Sequence, residues 1–228
     1  MKRILNDLLS LFFPDTCVNC KTPLIAGEEK ICIACLNKLP YTRFNAKLNP
    51  TNRIFAGRSE ISSANAFLYY GKGGITQKLI FSLKYYNNRK LGFILGRMAA
   101  LQLIRNIDFK QPDIFIPVPL HKKRLKQRGY NQAEWIAKGF NSICPKPIDT
   151  TSLIRIKKTD TQTKKNVYDR ITGIETAFYL INKTNLEGKH VLLIDDVMTS
   201  GATLNACIHE LLRCKRIKIS VFCLAVAQ

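Results

Sequence analysis

The sequence predicts an α/β fold: a parallel sheet flanked by helices, with a small cysteine ribbon at its amino end. Three observations carry this. Val191-Leu192-Leu193-Ile194 is a short, purely apolar, branched-rich run, as a strand covered on both faces would be. From about residue 113 onward, strand patterns alternate with helical ones, which suits a doubly wound parallel sheet. Before them, Cys17-x₂-Cys20 and Cys32-x₂-Cys35 crowd four thiols into twenty residues.

At 228 residues the chain can hold one good core and a small appendage. The spacing suggests an appendage over residues 1–58 and a main domain over 59–228. The net charge is +20, with Lys and Arg spread along the chain. Such a field attracts phosphates, nucleic acid or an acidic membrane surface, and it equally suits a solvated basic surface. No apolar run reaches the length of a membrane span. At the amino end, Ile4, Leu5, Leu8, Leu9 and Phe12 fit one helical face. Asn6, Asp7 and Ser10 interrupt the apolar stretch, and no small-residue cleavage site follows. The expectation is a short docking helix ended by Pro14, in a cytoplasmic protein.

The two Cys-x₂-Cys pairs place four sulfurs for a tetrahedral Zn²⁺. Two disulfides are the rival arrangement, and they need an oxidising compartment. Four thiolates leave no open position for water, so zinc here would be structural. Cys144, Cys207, Cys214 and Cys223 lack ligand spacing and read as buried thiols.

Residues 40–60 are polar and lightly patterned, a link out of the ribbon. Ala64–Tyr70 reads as a strand. Ile75–Tyr85 and Leu91–Ile104 carry helical spacing, with Leu79, Ile80 and Leu83 on one side of the first. Asp113–Pro119 reads as a strand stopped by its prolines. A basic turn follows, with Lys122, Lys123, Arg124, Lys126 and Arg128 before Gly129. Arginine forks grip phosphate oxygens bidentately, so a strand followed by this turn suits a pyrophosphate. A helix follows from about Asn131, with Trp135, Ile136 and Phe140 inward. Thr151–Ile156 and Phe178–Ile181 read as further strands. Between them, Lys157–Ala177 is long, polar and basic, which suits a lid or a disordered loop. Ile217–Val226 closes the sheet.

Asp195 and Asp196 sit at the carboxyl end of the Val191 strand, where ligands of open α/β sheets bind. Thr199-Ser200-Gly201-Ala202-Thr203 follows, and Leu204 opens a helical pattern with Ile208, Leu211 and Leu212. A helix N-terminus there offers unpaired N–H groups to a phosphate, and Gly201 lets the backbone come close. The carboxylates suit sugar hydroxyls or a nearby Mg²⁺. The stretch therefore asks for one ligand that carries both a ribose and a phosphate. The plain alternative is a strand–turn–helix whose acidic pair caps the helix.

VLLIDDVMTSGATL resembles the 5-phosphoribosyl-1-pyrophosphate (PRPP) signature of type I phosphoribosyltransferases. Together with the cysteine pairs, PVPLHKKRLKQRGYNQ, and the Gln162–Arg170 segment, it resembles the ComF family of competence-linked, phosphoribosyltransferase-like proteins. That resemblance implies a type I phosphoribosyltransferase-like sheet behind a zinc ribbon. It implies PRPP binding by Asp195, Asp196, Met198, Thr199, Ser200, Gly201, Ala202 and Thr203. Leu120, Arg124, Arg128 and Gly129 would meet the pyrophosphate. Gln162 and Arg170 would belong to a flexible loop. Lys165 and Gly173 depart from the family pattern, which has leucine and asparagine there.

The resemblance implies Mg²⁺ with PRPP and a role in DNA uptake, either as a transferase or as a PRPP-sensing adaptor. Single-stranded DNA and a competence helicase are the partners implied, with Tyr85 and Tyr86 as candidate stacking groups. Phosphoribosyl transfer needs no protein nucleophile, so a chain without a catalytic triad still fits. His121, His190 and His209 read as structural.

Overall fold

The computed structural model describes residues 14–44, 49–57, 59–104, 111–156 and 177–227. The expected amino-terminal helix, Gln162, Arg170, Lys165 and Gly173 lie outside them. A four-stranded parallel sheet in the order β1-β6-β5-β2 organises the chain. Its strands are β1 (Ser63–Tyr70), β2 (Ile114–Pro117), β5 (His190–Met198) and β6 (Lys218–Ala227). The two central strands, β5 and β6, are apolar almost throughout because helices or loops cover both faces.

Alternation along β5 sends side chains to opposite faces of the sheet. The first helix, α1, is the short turn Ile33–Asn37 beside the cysteines, and Leu192 and Ile194 join a core with α2 (Ile75–Tyr85), α3 (Arg89–Ile104) and α5 (Gln132–Asn141). Val191 and Leu193 join a second core with α6 (Ala202–Leu211). Phe115, Phe140 and Phe222 stack through the first core, with ring centroids 6.0 and 4.6 Å apart. In α5, Ile136 and Phe140 are buried as expected, whereas Trp135 is half-buried beneath the Lys138 ammonium. Leu211 is buried and Leu212 turns outward, one residue past the end of α6.

Three expectations need correction. The basic turn before Gly129 is a helix, α4 (Lys122–Arg128). His121 caps it, its Nδ1 accepting from the Lys123 N–H at 3.2 Å, and Gly129 ends it at φ +74°. Lys, Arg and Gln are good helix formers, and two caps hold a seven-residue helix of which no residue is buried. Second, β3 (Leu153–Arg155) and β4 (Phe178–Leu180) do not join the parallel sheet; they form a separate antiparallel pair. Third, β5 runs on to Met198, so the acidic pair lies within the strand.

The link out of the ribbon is structured where it is described. Tyr41 bridges to Leu68, and Tyr69 N–H donates to the Pro40 carbonyl at 2.8 Å. Asn49 Nδ2 donates to the Ala64 carbonyl, and Ala64 N–H donates to Asn52 Oδ1, both at 2.7 Å. These polar residues satisfy the outer edge of β1, which an unpaired edge strand needs.

Candidate functional site

β2 ends at Pro117, opposite Ile194, so β5 continues past it without a neighbour on that side. Asp195 and Asp196 stand in this opening. The two side chains leave the strand on opposite sides, yet both border the one cleft at the end of the sheet. Lys84, from α2, meets Asp196 Oδ1 at 3.2 Å. Arg155, at the end of β3, approaches Asp195 from the other side. Asp195 Oδ1 also accepts the Asp196 backbone N–H at 2.8 Å. Burial, reinforced by the neighbouring Asp196 charge, pushes the Asp195 carboxyl up to about 7.

The cleft around this pair encloses about 360 Å³. Leu120, Arg124 and Arg128 line it, as do Thr199 and Thr203. Carboxylates, hydroxyls and guanidinium groups thus face one cavity. Met198 is buried in the second core, so its side chain turns away and only its backbone faces the turn. Gly201 stands at the N-terminus of α6 with φ +74°, and a Cβ there would come within 2.7 Å of Ile54 Cγ2. Both facts demand glycine. Ser200 is exposed beside it, and Ala202 opens the helix. Gly129 lies outside the cleft wall and aims the chain back into it.

Residues around α4 hold its position. Asn131 Nδ2 donates to the Val118 carbonyl at 3.0 Å, and its Oδ1 accepts the Ala133 N–H at 3.1 Å, capping α5. Arg128 Nη1 donates to Gln132 Oε1 at 3.0 Å. Tyr130 O–H donates to the Leu83 carbonyl. Burial raises the Tyr130 phenol to about 12, so it stays a donor.

Lys84, Asn131, Gln132 and Arg155 line the cleft but were not singled out from the sequence. Asn131 and Gln132 lie inside the RGYNQ run, so their signal was present. Lys84 lies in a helical pattern that the apolar residues Leu79, Ile80 and Leu83 define, and nothing in that pattern marks it.

Next to Arg155, the Ile156 N–H donates to the Ala177 carbonyl at 3.0 Å. A larger depression of about 580 Å³ lies at the opposite end of the sheet, near Ile114, Asp149, Asn185 and Lys189. It has neither the paired aspartates nor an arginine in its wall.

Cys17, Cys20, Cys32 and Cys35 gather their sulfurs within 4.8 Å of one another. A tetrahedron with metal–sulfur bonds of about 2.3 Å has edges of about 3.8 Å. Cys20 and Cys32 already stand 3.7 Å apart. Asn19 Nδ2 donates to Cys35 Sγ at 3.1 Å and the Cys32 N–H to Cys17 Sγ at 3.4 Å, contacts that suit thiolates. No disulfide joins any two of the eight cysteines. Four soft donors in this shape fit a structural zinc, bound by these side chains alone. The other four cysteines are buried, as expected.

The family described as "Phosphoribosyl transferase domain" matches residues 82–228. The chain is 27% identical to Competence protein F of Haemophilus influenzae, over 89% of this chain and 92% of that one. It is 25% identical to the DNA utilization protein YhgH of Escherichia coli, over 94% and 98%. Competence protein ComFC of Bacillus subtilis is 33% identical over a shorter stretch, 40% of this chain and 35% of that one. The match spans β2, α4, the acidic pair and the threonine turn, while the alignment to YhgH takes in 94% of this chain. The chain therefore belongs to the phosphoribosyl transferase domain family, and within it to the ComF-like proteins.

Proposed function

We propose that the cleft binds PRPP together with Mg²⁺, in a protein that serves DNA uptake. The observation that carries this is the sharing of one cleft by the Asp195–Asp196 pair, the Thr199–Thr203 turn and the Arg124 and Arg128 side chains. PRPP presents hydroxyls, a monophosphate and a pyrophosphate, and each finds a matching group. The carboxylates accept from the ribose hydroxyls. Backbone N–H groups at the start of α6, with the threonine hydroxyls, take the 5′-phosphate. Arg124 and Arg128 take pyrophosphate oxygens, and Leu120 sets the wall between them and the sugar. Mg²⁺ would neutralise part of the pyrophosphate charge, and the hard carboxylate oxygens suit it. The names of the relatives support the role in DNA use.

Transfer needs the C1–pyrophosphate bond to loosen while the sugar is held still. Orientation and charge neutralisation supply most of that. Gln162 and Arg170, on the segment that starts beside Arg155, would close over the ligand.

Calorimetry with PRPP and Mg²⁺ tests the site. Wild type should bind, and Asp195→Asn with Asp196→Asn should lose roughly 1.5–3 kcal/mol for each charge-assisted bond removed. Equal affinity in both would end the assignment. Release of pyrophosphate on adding candidate bases or DNA separates a transferase from a protein that binds PRPP without turnover.

A further inference from the structure

Lys84 stands where two parts of the cleft meet. It lies in the last turn of α2, one turn beyond Ile80, and both side chains line the cleft. On one side its ammonium meets Asp196 Oδ1 at 3.2 Å. On the other, the backbone just before it is clamped to the basic wall. The Leu83 carbonyl accepts from the Tyr130 O–H and from Gln132 Nε2, the latter at 3.4 Å. Gln132 Oε1 accepts from Arg128 Nη1 at 3.0 Å. One buried amide therefore holds the end of α2 with its nitrogen and the Arg128 guanidinium with its oxygen. The charge of the cleft is unbalanced. Lys84, Arg124, Arg128 and Arg155 line it against two carboxylates, Asp195 and Asp196. Burial raises the first of these to about 7, so near neutrality it supplies less than a full negative charge.

We propose that Lys84 is a specificity-determining residue of the cleft: its ammonium bridges Asp196 and the diphosphate of the ligand, and so selects PRPP over ribose 5-phosphate. This rests on reading the cleft as a PRPP site. The argument is one of adjacency. The diphosphate sits on C1, next to the C2 hydroxyl that the carboxylates accept from, so its first phosphate comes to rest close to Asp196. Two anions brought together in a part-buried cleft repel unless a cation stands between them. Lys84 is the cation already paired with Asp196. An ammonium carries three N–H donors, so it can hold the carboxylate with one and phosphate oxygens with the others. Ribose 5-phosphate offers the hydroxyls and the 5′-phosphate but gives Lys84 nothing to bridge.

The test is calorimetry of the full chain with Mg²⁺ and, in turn, PRPP, ribose 5-phosphate and inorganic pyrophosphate. Lys84→Met should weaken PRPP and pyrophosphate about tenfold or more, the loss of one charge-assisted contact. It should leave ribose 5-phosphate bound as tightly as in wild type or more tightly, because Asp196 is released from its partner. Asp196→Asn should do the opposite, weakening ribose 5-phosphate and leaving pyrophosphate no weaker. Lys84→Met/Asp196→Asn leaves no carboxylate without its partner, and it should still lose pyrophosphate about tenfold, which separates the effect from any loss of fold.

If Lys84 only holds Asp196 in place, Lys84→Met weakens PRPP and ribose 5-phosphate by one factor and leaves pyrophosphate alone. That result, or an unchanged PRPP affinity, would overturn the inference while the cleft assignment stands. A wild-type chain that binds none of the three ligands refutes the cleft assignment and this inference with it.

Discussion

The ammonium of Lys84 lies 3.2 Å from Oδ1 of Asp196, across the mouth of the cleft. Their side chains are only 25% and 13% exposed, so water screens the pair incompletely. Exposed pairs contribute under about 1 kcal/mol and breaking buried ones costs about 3–5, which places this pair at about 1–2 kcal/mol. Lys84→Met should therefore destabilise the protein, and Asp196→Asn should remove most of that cost. A urea double-mutant cycle reads the coupling directly. A coupling near zero would show that the two groups do not hold each other in solution.

Asp195 links the site to pH. Its folded carboxyl is raised to about 7, from an ordinary 3.8. The folded chain therefore keeps a proton that the unfolded chain has lost, and stability falls as pH rises through that window. Asp195→Asn should stabilise the ligand-free protein at neutral pH by about 1–2 kcal/mol, or about 2–4 °C in Tm per kcal/mol. That advantage should vanish below about pH 3, where the aspartate is protonated in both states. PRPP affinity should move the other way in wild type, rising between about pH 6 and 8 as the carboxylate ionises. Thermal scans across pH, with and without PRPP, check both signs.

Helices α3 and α5 touch backbone to backbone. A Cβ on Gly139 would fall 2.1 Å from the Phe93 carbonyl oxygen, and one on Gly96 2.2 Å from the Ile136 carbonyl oxygen. Alanine is the better helix former by about 1 kcal/mol, but the clash is with backbone that cannot step aside. Gly139→Ala should cost about 2 kcal/mol or more, seen as a Tm drop of several degrees. A stabilised Gly139→Ala would show that the helices sit further apart than described. PRPP affinity should fall with it, since Asn131 and Gln132 enter the cleft from the start of α5.

The cysteine cluster should carry about one zinc per chain. Cys17, Ile31, Cys35 and Leu39 pack into the same core as Phe67 and Leu79, and Lys90 reaches Glu29 at 2.8 Å. Chelation, or Cys17→Ser, should therefore lower the Tm of the whole chain rather than melt a separate small unit. Metal analysis finding no zinc in protein purified without chelator would refute the site. Two transitions in calorimetry would refute the coupling.

The acidic pair, the threonine turn and the cysteine cluster were legible because each packs its chemistry into a few neighbouring residues. Apolar β5 and β6 were legible because burial on both faces removes polar residues altogether. What escaped was set by distance in the chain. Lys84 joins Asp196 only after α2 folds over the sheet. Arg155 reaches the cleft because β3 leaves the parallel sheet, and a three-residue strand carries too little pattern to reveal its partner. Helix α4 hid among lysines and arginines: with no residue buried, it shows no apolar period, and its two caps carry the signal instead.

Gly201 rests against Ile54, in the 3₁₀ turn at Pro50–Ile54, and Phe55 lies just behind. The Thr199–Thr203 turn is thus seated on residues well upstream of the matched family segment, which begins at residue 82. Strand β1, also outside that segment, supplies a whole edge of the sheet. Transplanting the transferase-like half alone into a chimera would leave the turn without its seat and β6 without one of its two neighbours. The ribbon, its link and the sheet thus stand as one packed unit, and recombination that cuts between them should yield chains that lose the proposed PRPP site.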